Sequence, residues 1–397
     1  MFYTKNQVKV IYLFILLHVN YSSLVSKTSI EDCDSLHVFS LLNCVEHSKL
    51  RDDRIFTRGN IMLTGCEIGG LTIGPRIGQG SFGEIYAVRN SRDRTLYAMK
   101  IEPVSNRRKI LEFEIQVMKQ LSSSPFFPLF ISSGRTPRYT YLTMELLGPS
   151  LSTVAKRLPN NHFSLSSGLR VAYMVICALE VMHDSGFIHR DIKPSNILLR
   201  RDRMSPIVII DFGLSRIYID KATNSVLPPR QHPGFRGTTI YASPNAHMHQ
   251  DLSRRDDLIS WFYLVLDLIA GPLPWKGIET RTEVLHMKRS ISMNKLSESI
   301  SPRLSEIWTL ISLLKFEDRP DYERIKQLLK LAMAENHVNR TDEWDWHPNI
   351  FHMDGNDQGD IRGRKFLASS LSSEGTYDTT REPLLQKDES CNCCLLL

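Results

Sequence analysis

The stretch Gly78-Gln79-Gly80-Ser81-Phe82-Gly83 constrains this chain more than any other, through the residues that follow it. Three glycines at this spacing suit a plain turn, and equally a loop that opens a dinucleotide site. A dinucleotide loop leads into a helix, whereas here Glu84-Ile85-Tyr86-Ala87-Val88 follows with the alternation of a strand. The glycines therefore sit on a hairpin between two strands. Such a hairpin brings backbone amides close to phosphate oxygens because no side chain stands in the way.

Composition bounds the remainder. The chain has 397 residues, 42% hydrophobic and 23% charged, enough for one large domain or two smaller ones with tails. The formal charge of +6 is scattered without a long basic run, so nucleic acid is not expected as a partner. Seven cysteines, odd in number and irregular in spacing, argue against a disulfide framework, and Cys177 reads as a core thiol. No run of eighteen apolar residues occurs; VIYLFILLHV and WFYLVLDLIA are both too short to span a bilayer unaided.

Residues 1–66 carry no strong periodic pattern and are read as an N-terminal extension. Within it Lys5 and Lys9 precede an apolar run and the small residues NYSSLVS, the order found in secretory signal peptides. A wrongly joined upstream exon and a buried segment are the other readings. Residues 67–346 are expected to fold as one domain, 347–390 to form a flexible polar tail, and 391–397 to be a cysteine-rich end.

Inside the domain, LTIGPRIGQGSFGEIYAVRNSRDRTLYAMKIEP predicts paired strands with a turn near Asn90 to Arg94, and RRKILEFEIQVMKQL an amphipathic helix. Beyond residue 150, SSGLRVAYMVICALEVMHDSG, RRDDLISWFYLVLDLIAG and SPRLSEIWTLISLLK predict helices, the second apolar almost all round and so central. An α+β fold of two unlike lobes follows, a small β-rich one with one main helix and a larger helical one.

The polar residues then form a pattern. Lys100 stands on a strand between apolar neighbours, where an unpaired ammonium is costly; Glu114 is a natural counter-charge, although two such residues alone also suit a solvated surface pair. FIHRDIKPSNILL packs His189, Arg190, Asp191, Lys193 and Asn196 between apolar flanks, and IVIIDFGLSR places Asp211 at the exit of a buried strand. Asp211 and Asn196 offer hard oxygen ligands of the kind Mg²⁺ takes alongside waters and phosphate oxygens.

In this order the segments resemble the protein-kinase signature set over about residues 71–346. The resemblance implies a bilobal kinase fold, ATP and Mg²⁺ as cofactors, and transfer of the γ-phosphate to Ser/Thr hydroxyls of protein substrates. It implies Asp191 as the base for the substrate hydroxyl, Lys193 as the stabiliser of the transferring phosphoryl, Lys100 held by Glu114 on the α- and β-phosphates, and Asn196 with Asp211 on the metal. Nucleotide contacts would come from Ile77, Gly78, Gly80, Ser81, Phe82, Gly83, Ile85, Ala98, Lys100, Leu198 and Ile210, with Met144 behind the adenine and Glu145 to Leu147 as the hinge. Several of these apolar residues suit a plain core equally well. The other functional class is a kinase-shaped scaffold that binds partners without phosphotransfer.

MELLGPSL, Ser243-Pro244-Asn245 in place of Ala-Pro-Glu, and SRRDDL resemble the casein kinase 1 superfamily, and GFRGTTIYASPNAH, DDLISWFY, GPLPW and DEWDW are similar to its tau-tubulin kinase branch. The resemblance implies a monomer that needs no activating phosphorylation, with Asp257 tying the central helix to the catalytic loop. One departure concerns substrate choice: Ile240 stands where the superfamily has an arginine for a phosphate already on the substrate. Reduced dependence on such priming is expected, unless Arg236 or another cation substitutes.

At the other end of the sequence stand Cys391, Cys393 and Cys394 with three leucines. A disulfide and a metal site are weak readings of these thiols. Cys394-Leu395-Leu396-Leu397 has the C-a-a-X form of a geranylgeranylation signal, against an unmodified apolar end; acylation of Cys391 or Cys393 would be the second anchor. A cytoplasmic kinase held peripherally at the cytosolic face of a membrane is the corresponding expectation. The signal-like stretch and the sequons at Asn20 and Asn339 point to the opposite compartment.

Overall fold

The chain divides into two units, Met1–Met62 and Leu63–Leu397. The structure, a computed structural model, describes residues 63–80, 83–200 and 206–346, all in the second unit. The signal-like stretch, Ser81, Phe82, the polar tail and Cys391, Cys393 and Cys394 lie outside the described residues.

Strands β1 (Glu67–Ile68), β2 (Leu71–Gly80), β3 (Gly83–Asn90), β4 (Leu96–Pro103), β5 (Phe130–Arg135) and β6 (Tyr139–Glu145) form one sheet. Its order is β1-β2-β3-β4-β6-β5, antiparallel throughout. The period-two pattern divides β4 between two environments. Met99 and Ile101 join Ile73, Tyr86 and Val88 in one apolar cluster, while Ala98 belongs to the main core on the opposite face. The β3–β4 turn falls at Asn90 to Arg94 as expected. The side chains of Asn90 and Asp93 accept the amides of Arg92 and Thr95, and Arg94 takes φ 64°.

Helix α1 (Ile110–Leu121) starts three residues later than the pattern from Arg107 suggested. Lys109 has φ 46°, a left-handed residue that halts the helix, and no side chain of its own segment caps the end. Glu102 of β4 does so instead, accepting the Leu111 amide at 3.1 Å.

The second lobe is helical: α2 (Leu151–Ala155), α3 (Leu165–Asp184), α4 (Pro244–His247), α5 (Arg254–Ala270), α6 (Arg281–Ser290), α7 (Met293–Glu298), α8 (Pro302–Ser312) and α9 (Tyr322–Glu335). Short strands β7 (Phe187–Ile188), β8 (Ile197–Leu199), β9 (Ile207–Ile209) and β10 (Arg216–Ile217) pair as β7 with β10 and β8 with β9. Helix α5 is central, as its all-round apolarity requires; Leu258, Trp261, Phe262, Leu264 and Val265 are buried, and Trp261 Nε1 donates to the Ala172 carbonyl of α3 at 3.1 Å. By length and composition α3 would suffice to cross a membrane, a candidate the sequence reading did not single out, but 78% of its apolar window is buried in the protein. It is a core helix.

The DEWDW segment closes the domain against α3. The Arg170 guanidinium donates to the carbonyls of Asp342 and Glu343 at 2.8 and 2.9 Å and lies 3.8 Å from the centre of the Trp344 ring.

Candidate active site

Strand register assembles the first half of the site. Gly78 lies opposite Ile85, Ile85 opposite Lys100, and Lys100 opposite Leu142, a single row across four strands on one face of the sheet. From that row Lys100 Nζ reaches Glu114 Oε2 of α1 at 2.6 Å and Asp211 Oδ1 at 3.1 Å. Lys100 is 4% exposed and Glu114 2%, which rules out a solvated surface pair. Burial pulls the Lys100 pKa down, but Glu114 and Asp211 beside it outweigh burial and leave it above the ordinary lysine value. Burial pushes the Asp211 carboxyl up, Lys100 more than offsets it, and the net position is below the usual carboxylate range. Lys100 and Asp211 are therefore charged at neutral pH, while burial pushes the Glu114 carboxyl above the usual carboxylate range against the pull of Lys100.

Strand β9 stops at Ile209, two residues short of Asp211, which takes φ 69° and turns the chain out of the sheet. This keeps 41% of the Asp211 side chain open while Oδ1 holds Lys100.

The catalytic-loop candidates form the second half. Between β7 and β8 the loop has few ladder bonds of its own and is held by a buried carboxylate: Asp257 accepts the amides of His189 and Arg190, both at 2.7 Å. The tie suggested for Asp257 is thus present. His189 Nδ1 accepts the Asp191 amide at 3.2 Å, so its Nε2 carries the proton and donates to the Ile210 carbonyl at 3.1 Å. One imidazole joins the loop to the Asp211 segment. Arg190, at φ 69°, donates to the carbonyls of Leu214 and Ser215, and burial together with the cations Arg230 and Arg216 pulls its guanidinium down to about 10.

Asp191 is the hub. Its Oδ2 accepts from Lys193 Nζ at 2.7 Å, and its Oδ1 accepts from the Thr238 hydroxyl at 2.8 Å. Lys193 also donates to Thr238 Oγ1 at 2.9 Å. Gly237 permits this approach: a Cβ there would lie 2.8 Å from the Arg190 carbonyl oxygen, and its φ is +96°. Asn196 donates its amide to the Asp191 carbonyl at 2.9 Å, which leaves Asn196 Oδ1 as the atom available to a ligand. Among the described residues no group of three or more His, Cys, Asp or Glu is gathered for a metal ion. One carboxylate and one amide oxygen suit Mg²⁺, which takes few protein ligands and completes its shell with phosphate and water.

The adenine-pocket candidates divide by burial. Ala98 and Met144, opposite each other in the β4–β6 register, are buried; Ile77 and Ile85 pack partly on the core; Leu147, Leu198 and Ile210 are half-buried. Gly80 is exposed, and a Cβ at Gly83 would overlap the Ile101 carbonyl oxygen. Glu145 is less free than a hinge assignment suggests. Its amide donates to the Leu129 carbonyl and its carboxylate holds Arg200 at 2.8 Å, so neither is open to a ligand.

Residues 237–243 supply what the sequence reading missed. Thr238 lies in the stretch GFRGTTIYASPNAH and was given no role there, because its link to Asp191 spans 47 positions. Trp275 Nε1 donates to the Ile240 carbonyl at 2.8 Å, and the Ile240 side chain packs against the core. Lys288 Nζ, which no motif singled out, donates to the carbonyls of Thr239 and Ala242. Arg236 is exposed and donates to the Phe235 carbonyl. In place of an Ala-Pro-Glu anchor, Ser243 and Asn245 donate to Asp256 Oδ1 at 2.6 and 2.8 Å.

The family model described as protein kinase domain matches residues 71–343. A probable serine/threonine-protein kinase of Dictyostelium discoideum is 36% identical over 277 residues, 69% of this chain and 56% of that protein. The serine/threonine-protein kinase spe-6 of Caenorhabditis elegans is 33% identical over 279 residues, 68% of this chain and 73% of that protein. The chain thus matches little more than half the length of the first relative.

Proposed function

The chain belongs to the protein kinase domain family, and from that premise we propose that it transfers the γ-phosphate of ATP to serine and threonine hydroxyls of protein substrates. The observation that carries this reading is the convergence of two charged sets from distant parts of the chain, Lys100-Glu114-Asp211 and Asp191-Lys193-Asn196-Thr238. Lys100, kept protonated and aimed by Glu114, binds phosphate oxygens of the nucleotide. Asp191 orients the acceptor hydroxyl and takes its proton, and Lys193 steadies negative charge on the transferring group. Asp211 and Asn196 Oδ1 would hold Mg²⁺, which when bound neutralises charge on the phosphates.

Within the family we assign the chain to the casein kinase 1 superfamily, nearest the tau-tubulin kinase branch. The Ser243 and Asn245 anchorage on Asp256, which replaces an Ala-Pro-Glu anchor, supports that assignment. Ile240 supports a reduced need for primed substrates, since its side chain is packed on the core and has no charge to offer a phosphate. The lipid tether at Cys394 is proposed on sequence alone; Cys394→Ser should release the protein from membranes, and unchanged partitioning would remove the idea.

The deciding experiment compares phosphate transfer from ATP to a mixed protein substrate by the wild type, Asp191→Asn and Lys100→Met. Transfer by the wild type alone supports the reading, and equal background from all three defeats it.

A further inference from the structure

Lys288 of α6 is 4% exposed and has no carboxylate partner among the described residues. A buried ammonium is retained only where its hydrogens are met. Here Nζ donates to the Thr239 carbonyl at 2.8 Å and the Ala242 carbonyl at 2.7 Å, lies 3.3 Å from His247 Nε2, and faces the rings of Tyr263 and Trp275 at 5.0 and 5.2 Å. With its hydrogens so engaged, it is not presented to a phosphate on a substrate.

Those two carbonyls belong to a turn that closes on Thr238. The amides of Tyr241 and Ala242 donate to the Thr238 carbonyl at 2.9 and 2.8 Å, and the Thr238 hydroxyl in turn bridges Asp191 and Lys193. We propose that Lys288 is a positioning residue for phosphoryl transfer: by clamping the Thr239 and Ala242 carbonyls it fixes the turn that seats Thr238 between Asp191 and Lys193. This inference rests on the kinase reading above. It explains why a lysine amine sits where hydrophobic packing alone would be cheaper: the turn carries the Thr239 and Ala242 carbonyls, which only a donor can satisfy.

The test uses full-length Lys288→Met and Lys288→Gln, with nucleotide affinity, kcat on a protein acceptor, and the rate of tryptic cleavage after the exposed Arg236. Lys288→Met should lower kcat about tenfold, since it strips the donor from one buried and one half-buried carbonyl. Nucleotide affinity should stay unchanged and cleavage after Arg236 should quicken severalfold; Lys288→Gln, which keeps one amide donor, should fall between. In a Thr238→Val background Lys288→Met should cost nothing further, because both act through one hydroxyl. A folded Lys288→Met with wild-type kcat and cleavage, or losses that multiply with Thr238→Val, overturns the proposal. If Lys288→Met does not fold, wild-type behaviour of Lys288→Gln overturns it instead. Should the wild type transfer no more phosphate than Asp191→Asn, the kinase reading falls and the cleavage rates alone decide the clamp.

Discussion

Asp257 at the start of the central helix and His183 near the end of α3 meet at 2.9 Å, both side chains fully buried beneath the catalytic loop. Asp257 Oδ2 is shared between the His183 ring and the His189 amide, and Oδ1 serves Arg190. Burial raises its carboxyl, the His183 hydrogen bond and nearby charge outweigh burial, and the pKa lies below the usual value. With the folded pKa depressed, this stabilisation is present above about pH 4 and is lost as pH falls through the folded value. Asp257→Asn should cost about 3 kcal/mol, since it removes one charge of a buried network. Urea unfolding at pH 7 checks this, and a loss under about 1 kcal/mol would show the tie to be dispensable.

Glu114→Gln tests the electrostatics of the nucleotide half-site. Without that carboxylate, burial acts on Lys100 against Asp211 alone, and the Lys100 pKa should fall. The raised pKa means that the wild-type pair stabilises the fold below the unfolded lysine value and loses that contribution as pH rises through the folded one. Acylation of Lys100 at pH 8 to 9, followed by peptide mapping, should therefore be faster in Glu114→Gln than in wild type. The same variant should lose about a hundredfold in kcat, the scale of a displaced electrostatic group.

Stability should also carry a two-limbed pH signature from Lys288 and its neighbour His247. Burial, and after it the Lys288 charge, lowers His247 from 6.5 to about 4, and burial lowers Lys288 from 10.5 to about 7. Between each folded value and its unfolded one the unfolded chain binds more protons, so stability rises with pH from about 4 to 6.5 and again above about 7. Thermal melts should show His247→Gln losing the lower limb and Lys288→Met the upper one. A melting temperature that rises with pH in parallel for Lys288→Met and wild type would contradict the assignment.

Substrate choice should follow residue 240. Peptide pairs that differ only in a phosphoserine upstream of the acceptor should have kcat/KM values within a few-fold for wild type, while Ile240→Arg should favour the phosphorylated member by about tenfold, the scale of one charge-assisted contact. A strong preference already present in the wild type would remove the role assigned to Ile240.

The elements were legible wherever local physics decides them. Alternation marked β3 and β4, Asn90 and Asp93 marked the turn, and all-round apolarity marked α5 as central. The start of α1 was not legible, because it depends on a left-handed Lys109 and on a cap supplied by Glu102 from a neighbouring strand. The kinase resemblance assigned Glu145 to the hinge, and its commitment to Arg200, 55 residues away, appears only in the folded chain.

The sequence by itself determined the chemical inventory: which carboxylates, lysines and amides exist, in an order whose resemblance to the kinase signature pointed to phosphoryl transfer. Tertiary structure decided which of them act together. Lys100 finds Asp211 across 111 positions, Asp191 finds Thr238 across 47, and the carbonyls of Thr239 and Ala242 find Lys288 across 49 and 46. Spacing in a sequence reports only neighbours within a turn of helix or a strand pair. The partners of a buried charge are set by packing of distant segments, where the cost of leaving a polar group unmet selects the arrangement.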